Sequence, residues 1–273
     1  MSWFKDEWVP IMRWLGKNAL RIYAGLALAY LAVPVLYTFA FSFNDAGRQN
    51  LVWQGFTFKA WTNICGAPEV CSSVRNSIVL STVSTLIATV LGTMIALAIA
   101  RYDFKGRSTT NLLIFLPMAT PEVVLGSSLL ALYLNAGGTL LGFPGVLIAH
   151  VMFCISFVVV TVKARIASLD PRLEQAAQDL YANERETFRK VTLPLILPGI
   201  AAAALLAFSL SFDDFIITNF NSGSNFSTFP KFVWLYNQRG IPPQANVISS
   251  LMFFLALTLV IVGQIRSSRK ARA

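Results

Sequence analysis

The stretch NSIVLSTVSTLIATVLGTMIALAIA, residues 76–100, runs between Arg75 and Arg101 without a charge. As an α-helix rising 1.5 Å per residue it reaches roughly 38 Å, enough to cross about 30 Å of hydrocarbon. Five further stretches pass the same test, at about 22–43, 111–134, 144–164, 194–218 and 245–265, each uncharged or nearly so. The whole chain agrees with them. Of its 273 residues 55% are hydrophobic and only 13% are charged, about half the charged share of an average soluble domain, and its mean hydropathy is positive. These features specify an all-α integral membrane protein with six transmembrane helices in one domain, 1–273. The first span is too long for a cleaved signal, and no A-x-A-like exit follows it.

A net charge of +9 would suit nucleic acid if the bases formed one face. They fringe the apolar spans instead. With the N-terminus inside, Lys5, Arg13, Lys17, Arg21, Arg101, Lys105, Arg107, Lys163, Arg165, Arg172, Arg185, Arg189, Lys190, Arg266, Arg269, Lys270 and Arg272 fall on the inner side. Only Arg48, Lys59, Arg75, Lys231 and Arg239 fall outside. The positive-inside rule therefore predicts that both termini are cytoplasmic and that the protein is multi-pass in a plasma membrane.

Cys65 and Cys71 share the first outside loop, WTNICGAPEVCSSV. Two readings stand: a small loop closed by a disulfide in an oxidising compartment, or two free thiols. Cys154 reads as a small packing residue of the fourth span. His150 is the sole histidine and has no Cys or Glu cluster around it, so it reads as a hydrogen-bonded core residue rather than a metal ligand. Aromatic residues crowd the outside segments (Trp53, Phe56, Phe58 and Trp61, then Phe229, Phe232, Trp234 and Tyr236) and read mainly as interfacial anchors. The sequence contains no G-x-x-x-x-G-K-[ST] and no G-x-S-x-G.

Of 13 acidic residues only Glu122, Asp213 and Asp214 fall within spans. A carboxylate at a helix centre costs about 2.5–3.5 kcal/mol to insert, so it normally faces a bundle interior or a wet cavity. The functional reading is a cationic path in which these acids replace part of a substrate's hydration. Structural alternatives accompany it: the Asp pair ends its helix at the outer interface, or Glu122 bonds backbone freed by Pro117 and Pro121, both expected to interrupt the third span. Adjacent helical residues diverge by about 100°, so one aspartate can face the path while the other braces a neighbour. Gly199, Ala203, Ala207 and Ser211 form a small-residue stripe, which suits either a second subunit or a contact within the chain.

The inner segment ASLDPRLEQAAQDLYANERETFRKVTLPLILPGI (167–200) holds a helix–turn–helix element over 170–192. Asp170 and Pro171 make a helix start, and Leu173, Ala176, Ala177 and Leu180 recur at helical spacing. Five acids against four bases over 170–190 favour a protein partner over a lipid surface.

That segment resembles the EAA loop of ABC-importer permeases. Ala176, Ala177, Leu193 and Pro194 match its pattern; Gln175 stands at the Glu position, Tyr181 at the Gly position, and Glu174 one residue early. LPMATPEVVLGSSLL (116–130), AHVMFCISFVVVTVKARI (149–166) and LAFSLSFDDFIITNF (206–220) extend the resemblance to polyamine (spermidine/putrescine) importer permeases of the PotC type. The resemblance implies a type I permease architecture and a bacterial inner-membrane location. It also implies a second permease subunit, two ATP-binding subunits that hold ATP and Mg, and an extracytoplasmic substrate-binding protein. The chain itself would be non-catalytic and bind no cofactor. Residues 170–192 would couple to the ATPase, and Asp213, Asp214 and Glu122 would line the path. The rival readings are a permease for another small solute, or a self-sufficient secondary carrier or channel.

Overall fold

The computed structural model describes residues 8–46, 50–237 and 240–270; Lys5, Arg48, Arg239 and Arg272 lie outside the described residues. The helices in chain order are α1 (Trp8–Phe41), α2 (Lys59–Thr62), α3 (Val70–Arg101), α4 (Arg107–Ala119), α5 (Glu122–Asn135), α6 (Phe143–Ala167), α7 (Arg172–Asp179) and α8 (Glu184–Thr187). A π-turn, Phe188–Thr192, leads into α9 (Leu193–Asp213), followed by α10 (Ile216–Asn221), α11 (Phe229–Asn237) and α12 (Pro243–Lys270). Five segments are long and apolar enough to cross a membrane: Asn18–Phe41, Val70–Arg101, Phe143–Ala167, Glu184–Asp213 and Pro243–Ile265. A sixth exists if α4 and α5 count as one span, bent by 104°.

That bend departs from the continuous helix expected over 111–134. Pro117 sits inside α4 without ending it, so only Pro121 interrupts. The residue before a proline is pushed out of the helical region, and Thr120 accordingly takes φ −81° and ψ 130°. Its N–H and hydroxyl both donate to Leu116 O, at 3.0 and 2.7 Å, closing α4. The helix expected over 194–218 also divides, after Asp213.

Contacts group the chain into two units, residues 1–70 with 236–273, and residues 71–235. In the first unit α1 and α12 pack together, and Phe39 meets Phe254 edge-on with centroids 5.2 Å apart. Beyond α1, the ring of Phe43 stacks with Phe56 and Trp61 at 5.3 and 5.2 Å. The buried Asn44 side chain ties that turn together, donating to Asn50 Oδ1 and Val52 O and accepting from Gln54 N.

In the second unit α6 is central. Its Ala149, Phe153, Cys154, Val158, Val159 and Val162 are buried with Ala88 and Ala96 of α3, Leu125 of α5, Ala203 and Ala207 of α9 and Ile217 of α10. Small residues set these distances. A Cβ on Gly92 would stand 2.7 Å from Val158 Cγ1, so α3 and α6 approach as closely as they do only with glycine there. The α9 stripe serves the same purpose within the chain: Ala203, Ala207 and Ser211 are buried, and a Cβ on Gly199 would meet Arg165 Cγ at 2.5 Å. The opposite face of α3 is apolar and exposed at Leu86, Val90 and Met94, the reverse of a soluble helix.

Candidate functional site at two helix breaks

Both interruptions carry acid. Glu122 opens α5 directly after the Pro121 break, and Asp213 and Asp214 straddle the break between α9 and α10. α5 and α10 pack against each other, with the Gly126 backbone pressed close to Phe220: a Cβ there would lie 3.0 Å from Phe220 Cδ2. Asn221 Nδ2 donates to Gly126 O at 3.2 Å, fixing the register of the two helices. This packing brings Glu122 within electrostatic range of both aspartates.

The three acids have different surroundings. Asp214 is buried, at 9% exposure. Its Oδ1 accepts from Ile217 N at 3.2 Å, and its Oδ2 accepts from Thr218 N and Thr218 Oγ1, both at 2.9 Å. These bonds satisfy N–H groups at the start of α10 that have no helical partner. His150 Nε2 lies 3.3 Å from the same Oδ2 and 3.0 Å from Thr218 Oγ1. Thr218 gives its one hydroxyl proton to Asp214, so its oxygen accepts from His150 and the ring carries a proton on Nε2. His150 Nδ1 meets Ser211 Oγ at 2.8 Å, and Ser211 Oγ meets Ser84 Oγ at 2.8 Å. His150 is thus the hydrogen-bonded core residue that its solitary position suggested.

Asp213 and Glu122 are exposed, and neither has a basic ion-pair partner among the described residues. Trp234, also exposed, lies against Phe215 with centroids 4.8 Å apart. Two carboxylates without basic partners suit a mobile cation that sheds part of its water.

A lysine in the first turn of α11 holds the segment that joins it to α10. Lys231 is 8% exposed and donates to Ser222 Oγ, Gly223 O and Phe226 O at 2.6, 3.0 and 3.3 Å. Its burial pushes the ammonium below the ordinary lysine range.

The inner element has two sides. α7 starts where Asp170 Oδ1 accepts from Arg172 N at 2.9 Å, and Asn183 with Glu186 forms a capping box for α8. Gln175, Ala176, Leu180 and Tyr181 are exposed and Ala177 is half-buried. Glu174 turns inward to Arg101 and Thr192. Leu193 and Pro194 open α9 directly after the π-turn. Tyr181 stands 98% exposed with φ +63°. Its N–H donates to Gln178 O and that of Ala182 to Ala177 O, at 2.9 and 3.1 Å, the two bonds of a Schellman stop whose left-handed residue is usually glycine. Cys65 and Cys71 are both disulfide-bonded, and Cys154 is free and buried.

Sequence reasoning located the acids and the inner element. It missed the His150–Asp214 contact, the Arg101–Glu174–Thr192 contact and the buried Lys231. One signal was available: Asp is a favoured capping residue, and a second Asp at the end of an apolar run marks a place for a new helix to start.

Residues 80–267 match the family model described as "Binding-protein-dependent transport system inner membrane component". The spermidine/putrescine transport system permease protein PotC of Escherichia coli (strain K12) is 34% identical over 244 residues, 89% of this chain and 92% of that protein. The putrescine transport system permease protein PotI of the same strain is 32% identical over 234 residues, 83% of each. Among solved structures, a bacterial ABC transporter involved in the import of the acidic polysaccharide alginate aligns over 95% of this chain and 99% of its own, with a TM-score of 0.66 at 15% identity. The MetNI methionine ABC transporter in an inward-facing conformation aligns over 73% and 94%, with a TM-score of 0.59 at 16% identity. The fold, the broken spans and these likenesses agree: the chain is a multi-pass membrane protein that belongs to the family of inner-membrane components of binding-protein-dependent transport systems.

Proposed function

We propose that the chain, residues 1–273 as one permease domain, is the transmembrane subunit of an ATP-driven importer that moves a polyamine such as spermidine or putrescine across the bacterial inner membrane. The observation that carries this reading is that Glu122 and Asp213 each stand at a break of an apolar span, on or beside helices that pack together, exposed and without basic partners among the described residues. Broken helices at a midplane site are how many transporters present polar groups to a substrate. The polyamine named in the relatives PotC and PotI supplies the matching charge. Asp214, held by His150 and Thr218, positions the break rather than meeting the substrate.

The subunit is non-catalytic and pairs with a second permease and two ATP-binding subunits, which bind ATP and Mg. A substrate-binding protein delivers cargo to the outer face, where the Cys65–Cys71 disulfide belongs to the first loop. Exposed Gln175, Ala176, Leu180 and Tyr181 form the surface offered to the ATPase. ATP-driven closure moves the 170–192 element and switches the spans between inward- and outward-facing states, and the cation passes Asp213 and Glu122.

The test is uptake of labelled spermidine and putrescine by the complete transporter in proteoliposomes. Asp213→Asn and Glu122→Gln are each expected to lower uptake about tenfold, the effect of losing roughly 1.4 kcal/mol of interaction, while assembly is retained. Unchanged uptake in both variants removes the acid path, and uptake by this chain alone without ATP removes the ABC reading.

A further inference from the structure

Among the described residues, Glu174 is the only one of α7 whose side chain makes a polar contact with the spans. One of its oxygens, Oε1, accepts from both Arg101 Nη2 and Thr192 Oγ1, and Arg101 Nη2 also donates to Thr192 Oγ1 at 3.1 Å. Arg101 is the last residue of α3, and Thr192 is the last residue before α9. A single carboxylate oxygen of the inner element therefore meets the inner ends of two long helices. The guanidinium carbon also sits 5.8 Å from the centre of the Phe188 ring, in the π-turn.

The pair is not built for stability. The Arg101 and Glu174 side chains are 32% and 38% exposed, and such pairs contribute at most about 1 kcal/mol. Their consequence is geometric. α3 and α9 are joined again higher up, where Ser84 meets Ser211 at 2.8 Å, and α9 ends at Asp213, roughly 30 Å from its foot. Arg165 holds that foot from a third side, donating twice to Leu195 O at 3.0 and 2.8 Å over the face Gly199 leaves open. Arg101, Glu174, Thr192 and Leu195 also line a cavity of about 410 Å³, which leaves room for α7 to shift. π-turns such as 188–192 commonly mark functional positions in helices.

We propose that Arg101, Glu174 and Thr192 form a strut that transmits displacement of the 170–192 element to α3 and α9 together. Arg101 is a positioning residue: it acts on transport through the two helices and touches neither ATPase nor cargo. This rests on the coupling role proposed above for the 170–192 element. Without the strut the element still docks and the ATPases still turn over, but less of that motion reaches Asp213.

The experiment measures substrate imported per ATP hydrolysed by the complete transporter in proteoliposomes, for Arg101→Gln, Glu174→Gln, Thr192→Val and the double variant Arg101→Gln/Glu174→Gln. Each single variant is expected to keep its ATPase subunits and lower the import-to-hydrolysis ratio by about fivefold or more. The double variant is expected to lose no more than the worse single, because both remove the same link. A ratio equal to wild type in the charge-neutral variants overturns the proposal. So does multiplication of the two losses in the double variant, or detachment of the ATPases from Glu174→Gln, which would make Glu174 a docking residue. Thr192→Val, the mildest change, decides the matter if an arginine variant fails to fold. If wild-type protein captures no ATPase at all, the coupling reading fails instead, a distinct result.

Discussion

Asp213 is the last residue of α9, whereas Asp214 leaves the helix with φ −61° and ψ 128°, and that one change of backbone direction gives two adjacent carboxylates different work. The turned backbone lets Asp214 reach the free N–H groups of α10 and the His150 ring, while Asp213 stays exposed. His150→Ala would leave a buried carboxylate short of a partner. It is expected to destabilise the protein by about 2 kcal/mol, the loss of one buried hydrogen bond to a carboxylate, read as a lower midpoint in chemical unfolding of the detergent-solubilised protein; an unchanged midpoint would show that the contact is dispensable. Tyr181 poses the opposite case. Its left-handed backbone costs an L-residue roughly 1–2 kcal/mol, and its exposed ring packs against little that would repay it. Tyr181→Gly should therefore add about 1 kcal/mol of stability, read as a higher midpoint; a fall would mean that the ring contributes to the fold.

At the scale of elements, helices break where a side chain offers the backbone something better than continuing. Pro121 forbids the helical bond and Thr120 closes α4; Asp214 caps α10 and so ends the run that hydropathy alone would extend to residue 218. Close helix contact has its own requirement, seen where α3 crosses α6 at Gly92. Gly92→Ala would place a methyl against Val158 and should cost about 1–3 kcal/mol. Val158→Ala should recover part of that loss in the double variant, while each single remains destabilised. Additive losses in this cycle would separate the two positions and contradict the close approach.

For the whole molecule, the orientation proposed from the bases places both termini and residues 170–192 on the cytoplasmic side. Epitope tags at either end should be cleaved by protease only in inside-out vesicles, and labelling of the 44–75 segment should succeed only from the opposite side; cleavage of a terminal tag in right-side-out vesicles would reverse the topology. The exposed apolar faces of α1 and α3, with Leu26, Leu31, Leu86 and Val90 among them, require lipid or protein cover in any orientation.

The amino-acid sequence by itself determined that the chain is an all-helical protein with five or six apolar spans, because hydrophobic length is local and additive. It determined the inner element as well, since Asp170-Pro171 and the Ala176–Ala177 spacing are short-range signals. Tertiary structure alone decided which acid is free. The choice between Asp213 and Asp214 depends on His150, more than sixty residues earlier, and the placing of Glu122 depends on the packing of α5 against α10. Likewise Glu174 reads in sequence as a surface residue for a partner, and only the folded chain brings Arg101 and Thr192 to the same oxygen. Hydrogen bonds between distant residues require a fixed distance and direction in space, and linear spacing carries no record of either.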